Sequence, residues 1–267
     1  MRRESAVVTG ASRGIGRAVA LELATRGYDV VATMREPADG SSLLEAAETT
    51  AGPGNEGSIR IERLDVNDPA PIRLPDTLEV LVNNAGVETD NLPIEHGDID
   101  RHWRHLFETN LFGLVRVTQA AIPKLRANGG GVICNVTSSS ILAPVPFLGM
   151  YRASKAAVTA MGESLAAEVA PFGIRVVEIL PGPIVTDMLR NSEKPAEAIE
   201  FPEYRDLAET MWQIRRQITD QYTPAEEAAR RIVDAIEAPE QPGAVVRRGC
   251  DPMSETMLAQ PSGSLAN

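Results

Sequence analysis

Residues 9–16, Thr9-Gly10-Ala11-Ser12-Arg13-Gly14-Ile15-Gly16, decide the fold of this chain. The apolar run before them predicts a buried strand, and the stretch after them, 14–26, has apolar residues at helical spacing. Glycines at such a junction allow a tight turn and a close approach of the backbone to a pyrophosphate, which the helix N-terminus would bind. The spacing is G-x-x-x-G-x-G, and a purely structural turn is the alternative. The stretch therefore predicts a dinucleotide-binding strand–turn–helix unit.

Short β-branched or apolar runs alternate with helical stretches along the rest of the chain. The predicted strands are 6–9, 29–33, 59–64, 80–82, 131–136, 174–179 and 244–247, and the predicted helices are 14–26, 100–126, 151–169 and 223–237. The last helix opens with a capping box, Thr223-Pro224-Ala225-Glu226. This alternation predicts an α/β fold: a single-domain, Rossmann-like, doubly wound arrangement of about seven parallel strands flanked by helices on both faces.

Two connections depart from regular alternation. Prolines at 69, 71 and 75 argue against a full helix over 65–79. The connection 181–222 is long for a loop and predicts a substrate-loop excursion that contains helices or forms a lid. The predicted domain covers residues 1–259, and residues 260–267 are expected to form a polar tail.

Composition narrows the function classes. The chain has 267 residues, of which 43% are hydrophobic and 24% charged, as in one soluble globular domain. Its net charge of -11 disfavours nucleic acid as a partner. No apolar run reaches the roughly 18 residues that span a bilayer, so no membrane association is expected. With two cysteines and no Cys/His cluster, neither a metal site nor a disulfide framework is expected, and a cytoplasmic location fits.

The end of the second predicted strand bears on cofactor choice. An NAD site places an acid there, to accept a hydrogen bond from the ribose 2′-hydroxyl. This chain instead has Arg35, and Arg13 in the glycine turn lies at the same corner. Guanidinium groups bind a 2′-phosphate by forked, charge-assisted hydrogen bonds, although both could be ordinary surface arginines. The sequence therefore favours NADP(H) over NAD(H).

Tyr151 and Lys155 are spaced four residues apart at the start of a predicted helix, so their side chains share one face. A nearby ammonium lowers the pKa of a phenol, which makes it a usable acid or base. Ser138 lies where the fifth strand ends, and a hydroxyl there would stabilise developing charge on a carbonyl oxygen. Whether Ser138, Ser139 or Ser140 points inward is not decided by composition.

Together these residues resemble the classical short-chain dehydrogenase/reductase family, from about Ser5 to Gly249. The motifs that carry the resemblance are Thr9-Gly10-x-x-x-Gly14-x-Gly16, Asp65-Val66, Asn83-Asn84-Ala85-Gly86, Asn110, Ser138, Tyr151-x-x-x-Lys155, and Pro181-Gly182 followed by Thr186. The glycine turn is similar to that of NADP-using members such as ketoacyl reductases. The resemblance also implies a homodimer or homotetramer paired through the two long helices.

Carried over by position, the resemblance implies a catalytic set of four residues. Tyr151 would be the general acid in reduction and the base in oxidation. Lys155 would lower the pKa of Tyr151 and hold the nicotinamide ribose. Ser138 would orient the carbonyl, and Asn110 would kink its helix and hold a water linked to Lys155. The expected cofactor-binding residues are Gly10, Ser12, Arg13, Gly14, Ile15, Gly16, Arg35, Asp65, Val66, Asn83, Ala85, Gly86, Tyr151, Lys155, Pro181, Gly182, Ile184 and Thr186.

The substrate is expected to be a small-molecule carbonyl or secondary alcohol. Apolar residues before Tyr151 and in the excursion favour an apolar substrate such as a steroid, retinoid, acyl or terpenoid compound, with core packing of these residues as the alternative. They are Ile141, Leu142, Phe147, Leu148, Met150, Met188, Leu189, Phe201, Tyr204, Leu207, Met211, Trp212 and Ile214. Two other functions are weighed: a catalytically silent NADP-binding or sensing protein, and an epimerase or dehydratase. The four catalytic residues argue against the first, and the glycine spacing and short C-terminal part argue against the second.

Overall fold

A single parallel sheet forms the centre of the molecule. The structure is a computed structural model that describes residues 4–50, 57–88, 90–186 and 195–260. The strands of this sheet are β1 (Ser5–Val8), β2 (Asp29–Met34), β3 (Ser58–Arg63), β4 (Leu78–Asn83), β5 (Gly131–Val136), β6 (Ile174–Leu180) and β9 (Val246–Gly249). Their spatial order is β3-β2-β1-β4-β5-β6-β9, and every neighbouring pair is parallel. The prediction of a seven-stranded parallel sheet is confirmed.

Helices cover both faces of this sheet. They are α1 (Gly14–Thr25), α2 (Ser41–Thr50), α3 (the helical stretch 99–127), α4 (Gly149–Val169), α5 (Arg205–Gln217), α6 (Ala225–Glu237) and α7 (Pro252–Ala259). On one face, α1 and α6 bury residues such as Leu23 and Ile232 against the sheet. On the other, α3 and α4 bury residues such as Leu125 and Val169. Strand side chains alternate between these two cores, so the apolar-rich strands of the sequence form the central layer.

The connectivity creates a crevice at one edge of the sheet. From β1 the chain moves outward to β2 and β3 on one side and then returns to β4 on the other side. The loops after β1 and β4 therefore run in opposite directions from the carboxyl ends of two adjacent strands. In doubly wound sheets this switch point is where ligands bind. The glycine turn follows β1, so it lies at this crevice.

The connection 65–77 between β3 and β4 contains no helix, as its prolines predicted. The helix α2, in contrast, was not predicted. The helical stretch α3 is less regular than expected, since Ile99–Arg104 and Glu108–Gly113 are π-helical turns. The last strand of the sheet begins two residues later than predicted.

The predicted capping box at Thr223 is wrong. Residues Ile184–Val185 (β7) and Thr223–Pro224 (β8) form a short parallel ladder, and the Thr223 amide donates to the Pro183 carbonyl at 3.0 Å. The residue that precedes α6 is Pro224, and no side chain caps this helix. The backbone of Thr223 pairs with that of Ile184 in this ladder, and the Thr223 side chain does not cap α6. The ladder closes the base of the excursion 181–222, which also contains the short helix Glu197–Glu200 and α5.

Of the helices that the structure describes, none is both long and apolar enough to cross a membrane.

Candidate active site

The glycine turn brings the backbone of β1 close to the loop after β4. Gly10 and Gly14 have φ angles of 66° and 56°, which side-chain-bearing residues rarely adopt. A Cβ atom at Gly16 would lie 2.3 Å from Asn84 Nδ2 and 2.5 Å from the Gly10 carbonyl oxygen. The first turn of α1 has neither an acidic residue nor a side-chain cap, so its N–H groups are available to an anion. These features fit the pyrophosphate of a dinucleotide.

Thr9 and Asn84 hold this turn against the loop after β4. The Thr9 hydroxyl accepts hydrogen bonds from the amides of Asn84 and Ala85, both at 3.0 Å. The Asn84 side-chain amide donates to the carbonyls of Thr9 at 2.9 Å and Gly10 at 3.1 Å. Asn84 lines the cleft, whereas the predicted Asn83 is buried and donates to Thr118 and Asn135 in the core. The motif Asn83-Asn84 does not indicate which of the two asparagines faces the cleft.

The residues predicted for the adenosine end lie in the glycine turn and just after β2 and β3. Arg13 and Arg35 are both exposed, and neither side chain makes a hydrogen bond or ion pair with any part of the chain that the structure describes. Asp65 lines a separate depression next to β3, and its carboxylate accepts from the Asn67 amide at 3.0 Å. Val66 is buried in the core on the α3 side of the sheet. The region predicted for the adenosine therefore contains two exposed guanidinium groups, Arg13 and Arg35, and the carboxylate of Asp65.

Asn110 lies in the second π-helical turn of α3, at the point where that helix passes the loop after β4. Its side-chain amide donates to the Val87 carbonyl at 2.9 Å and to the Ser154 hydroxyl at 3.0 Å. Its oxygen accepts from the Val87 amide at 2.8 Å. A π turn widens a helix and aims side chains that a regular helix would direct elsewhere. Asn110 thereby joins α3, α4 and the loop after β4, and it does not itself line the cleft.

Tyr151 and Lys155 lie together on the first turns of α4, as their spacing predicted. The Lys155 ammonium lies 5.8 Å from the centre of the Tyr151 ring and donates to the Val136 carbonyl at 3.0 Å. Burial lowers the pKa of Lys155 to about 8. Burial raises the pKa of Tyr151 above its usual range, the carboxylate of Glu88 raises it further, and a hydrogen bond with Ser138 opposes the rise.

A cleft of about 190 Å³ joins these groups at the carboxyl ends of the central strands. Ser138 and Ser140 line it, while Ser139 is buried beside them. The predicted residues that meet in the cleft are Ile15, Gly86, Ser138, Tyr151, Lys155, Pro181, Gly182, Ile184 and Thr186. Gly86 lies close to two of these groups, since a Cβ atom there would lie 3.2 Å from Asn110 Oδ1 and 3.3 Å from Lys155 Nζ and would displace them by a few tenths of an ångström. The structure therefore brings residues predicted for catalysis and residues predicted for the nicotinamide end to the same cleft.

Two charged residues in the cleft were missed by sequence reasoning. Glu88 follows the loop after β4, and Arg215 comes from α5, more than one hundred residues later. Burial raises the pKa of Glu88, the charge of Arg215 opposes this, and Glu197 adds to it. Nothing in the sequence pairs Glu88 with a residue of α5.

Several apolar residues of the predicted substrate pocket belong to buried clusters instead of lining the cleft. Phe147, Tyr204 and Met211 belong to one buried cluster, and Phe201 and Met150 belong to another. Leu207 and Ile214 are exposed. Met188 and Leu189 lie outside the described residues. Leu148 is the member of this group that lines the cleft in the part of the chain described.

No group of three or more His, Cys, Asp or Glu residues among those described is arranged to hold a metal ion.

Known proteins are similar to this chain in both sequence and fold. The family described as short chain dehydrogenase matches residues 4–197. The chain is 38% identical to the uncharacterized oxidoreductase YusZ of Bacillus subtilis over 203 residues, which are 72% of this chain and 69% of that protein. It is 36% identical over 195 residues to the 3-oxoacyl-[acyl-carrier-protein] reductase FabG of Escherichia coli, covering 69% of this chain and 75% of that one.

Solved structures agree with the sequence comparisons. A short-chain dehydrogenase from Streptomyces avermitilis superposes with a TM-score of 0.75 at 30% identity, covering 97% of this chain and 91% of that one. The family match covers most of the chain and includes the glycine turn, the Asn83-Asn84-Ala85-Gly86 loop, Ser138, Tyr151 and Lys155. The chain therefore belongs to the short-chain dehydrogenase/reductase family of oxidoreductases.

Proposed function

We propose that this chain is an NADP(H)-dependent oxidoreductase that interconverts a carbonyl compound and a secondary alcohol. The observation that carries the proposal is the cleft in which Tyr151, Ser138 and Lys155 lie together beside the glycine-turn residue Ile15 and the loop residue Thr186. When bound, a nicotinamide dinucleotide supplies or takes up the hydride. The rest of the chemistry belongs to side chains of this chain.

Tyr151 is the proton donor in this proposal. Its hydroxyl is in hydrogen-bond contact with that of Ser138, so both are able to contact one carbonyl oxygen. Because burial raises the pKa of Tyr151, the phenol holds its proton near neutral pH, which is the state a general acid needs for reduction. Lys155 provides the nearby positive charge that stabilises the phenolate left after proton transfer.

Preference for NADP(H) is part of the same proposal. Arg13 and Arg35 flank the glycine turn and the end of β2, which lie side by side because the Ala11 amide donates to the Thr33 carbonyl at 2.9 Å. Two guanidinium groups that have no partner in the described chain suit a phosphate dianion. In a protein with a net charge of -11, that local positive charge is what offsets the general repulsion of a phosphate.

The substrate end of the cleft supports a largely apolar carbonyl or alcohol. The apolar side chains of Val87 and Leu148 line the cleft. Apolar walls of this kind take up the body of a substrate, while a few polar groups fix its orientation.

A homodimer or homotetramer, paired through α3 and α4, completes the proposal. Phe112 on α3 is 50% exposed, so this helix offers a large apolar side chain that a second copy can cover. A cytoplasmic location is consistent with free thiols at both Cys134 and Cys250. Light scattering of the purified protein tests the assembly directly.

The function is tested by measuring turnover of a carbonyl panel with NADPH and with NADH. Replacing Tyr151 by Phe removes the proton donor, so we expect turnover to fall about 100-fold or more while NADPH affinity stays close to that of the wild type. Tyr222→Phe is the matched control, because Tyr222 lies outside the cleft. Unchanged turnover in Tyr151→Phe would overturn the assignment. Tight NADPH binding without turnover of any carbonyl would favour the silent sensing protein.

A further inference from the structure

Two side chains of opposite charge line the cleft without contacting each other directly. They are Glu88 and Arg215, and Tyr151 and Leu148 line the same cleft. Their charges interact, yet they form no ion pair within hydrogen-bonding distance. The reaction proposed above needs neither of them, because proton transfer and charge stabilisation are assigned to Tyr151, Ser138 and Lys155.

Both side chains are half-buried, and neither makes a hydrogen bond to the residues that the structure describes. A carboxylate or guanidinium that is partly removed from water loses free energy unless other groups replace its hydrogen bonds. The missing partners are therefore to be sought in what the cleft binds.

The position of Glu88 is fixed by its neighbours. Val87, the residue before it, is held through both its amide and its carbonyl by the Asn110 side chain, at 2.8 and 2.9 Å. Asn110 is in turn bonded to Ser154 of α4, the helix that carries Tyr151. Glu88 is thus attached to the same rigid assembly as the reacting groups, and its charge acts on the Tyr151 hydroxyl. A group bound by Glu88 therefore belongs to a substrate held close to Tyr151.

The charges of Glu88 and Arg215 determine which kind of substrate group can bind between them. A substrate ammonium is attracted by Glu88 and repelled by Arg215, while a substrate carboxylate is repelled by Glu88 and attracted by Arg215. A hydroxyl suits both residues, because it donates one hydrogen bond and accepts others. Its O–H donates to the Glu88 carboxylate, and its oxygen accepts from the Arg215 guanidinium.

We propose that Glu88 and Arg215 form a subsite for a substrate hydroxyl, so that the substrate is a hydroxylated ketone, or the corresponding diol, on an otherwise apolar body. This inference rests on the proposed oxidoreductase function and adds the substrate class to it. It explains why a cleft with apolar walls contains two charged groups that chemistry at the carbonyl does not require.

A matched series of cyclic ketones tests the subsite. The probes are cyclohexanone and its 3-hydroxy, 4-hydroxy, 4-amino and 4-carboxylate derivatives, each with NADPH. We expect kcat/KM for the better hydroxyketone to exceed that for each of the other three kinds of probe by about 10-fold or more, because a site that bonds a hydroxyl discriminates against its absence. In Glu88→Leu and in Arg215→Leu, the ratio of hydroxyketone to cyclohexanone should fall to about one. Arg215 is half-buried on α5, so its replacement does not put folding at risk.

Glu200→Gln is the control, since this exposed acid lies on the same excursion but outside the cleft, and it should leave the ratio unchanged. A wild-type ratio of one, or a preference that survives both leucine variants, overturns the proposal. Preference for the amine or the carboxylate also overturns it, and identifies Glu88 or Arg215 alone as the recognition group.

Calorimetry separates failure of the subsite from failure of the proposed function. With the enzyme–NADPH complex, we expect 1,3- or 1,4-cyclohexanediol to bind about 10-fold more tightly than cyclohexanol. If the diol is preferred but no ketone is reduced, the subsite stands and the oxidoreductase function fails. If ketones are reduced but the diol and cyclohexanol bind equally, the function stands and the subsite is wrong.

Discussion

The carboxylate of Glu178 on β6 accepts a hydrogen bond from the Thr137 hydroxyl at 3.0 Å. Thr137 immediately precedes Ser138, so this contact fixes the wall of the cleft that carries the serine. The same carboxylate accepts from Thr159, one helical turn after Lys155, and from Arg247 on β9 at 2.8 Å. One buried acid thus joins the strand that ends at Ser138 to the helix that carries Tyr151 and Lys155.

Removing this acid should destabilise the whole protein. Glu178 is 2% exposed, and Glu178→Ala removes one acceptor from two hydroxyls and from the Arg247 guanidinium, so we expect a loss of about 1–3 kcal/mol of unfolding free energy. Glu178→Gln retains the shape and should lose less. Glu163→Gln is the control, because Glu163 is an exposed partner of the same Arg247 and should cost under about 1 kcal/mol. Equal urea midpoints for Glu178→Ala and Glu163→Gln would contradict this reading.

The fold was predictable because its signals are local. The predicted strand 80–82 is short and wholly apolar, and the glycine turn lies between a strand and a helix, so the order of elements predicts a parallel sheet. Tyr151 and Lys155 were predictable for the same reason, since helix geometry brings residues four apart onto one face. The absence of a helix over 65–77 followed from proline chemistry.

Features that depend on distant contacts were not predictable. The sequence after Thr223 matches a capping box, but its backbone pairs with that of Ile184 in a short parallel ladder. No local pattern in the sequence reveals that pairing. Asn83 and Asn84 are adjacent and chemically identical, and their roles differ only because strand side chains alternate in direction. Arg215 reaches the cleft from α5, across the long excursion. A charged residue such as Glu178 is expected at the surface, and only the fold shows that it is buried and bonded to Thr159 and Arg247.

Cofactor choice can be tested at Arg35. In Arg35→Asp a carboxylate replaces the proposed phosphate contact, so the KM for NADPH should rise about 10-fold or more, while the KM for NADH falls or stays constant. Arg101→Asp makes the same charge change on an exposed residue of α3 and should alter neither value. An Arg35→Asp enzyme with unchanged NADPH affinity would rule out 2′-phosphate recognition by this residue.

Two Gly→Ala substitutions should have opposite effects. At Gly16 the new methyl would lie 2.3 Å from Asn84 Nδ2, so the glycine turn must shift and NADPH affinity should fall about 10-fold or more. At Gly162, inside α4, the nearest atom is Asn135 Nδ2 at an ordinary 3.6 Å, and alanine should stabilise the helix by about 0.5–1 kcal/mol. Thermal unfolding with and without NADPH measures both. A destabilised Gly162→Ala protein would show that α4 is packed more tightly than these distances indicate.

Lys155 should reduce stability while it supports catalysis. Burial lowers its pKa from near 10.5 to about 8, a gap that corresponds to roughly 3 kcal/mol, because folding removes the charged ammonium from water. Below about pH 8 the lysine is charged in both states and the cost is complete. Between about pH 8 and 10.5 the unfolded chain binds more protons than the folded one, so this cost disappears as the pH rises.

Lys155→Met should therefore unfold with about 1–2 kcal/mol more free energy than the wild type at pH 7, since loss of the hydrogen bond to Val136 offsets part of the gain. That advantage should vanish by about pH 10, and turnover should be at least about 100-fold lower at every pH. Lys124→Met, which removes a more exposed lysine, is the control variant. Urea titrations of the three proteins at pH 7, 8.5 and 10 check this. If Lys155→Met were less stable than the wild type at pH 7, the hydrogen bond to Val136 would outweigh the cost of burying the charge, and Lys155 would support the fold as well as the chemistry.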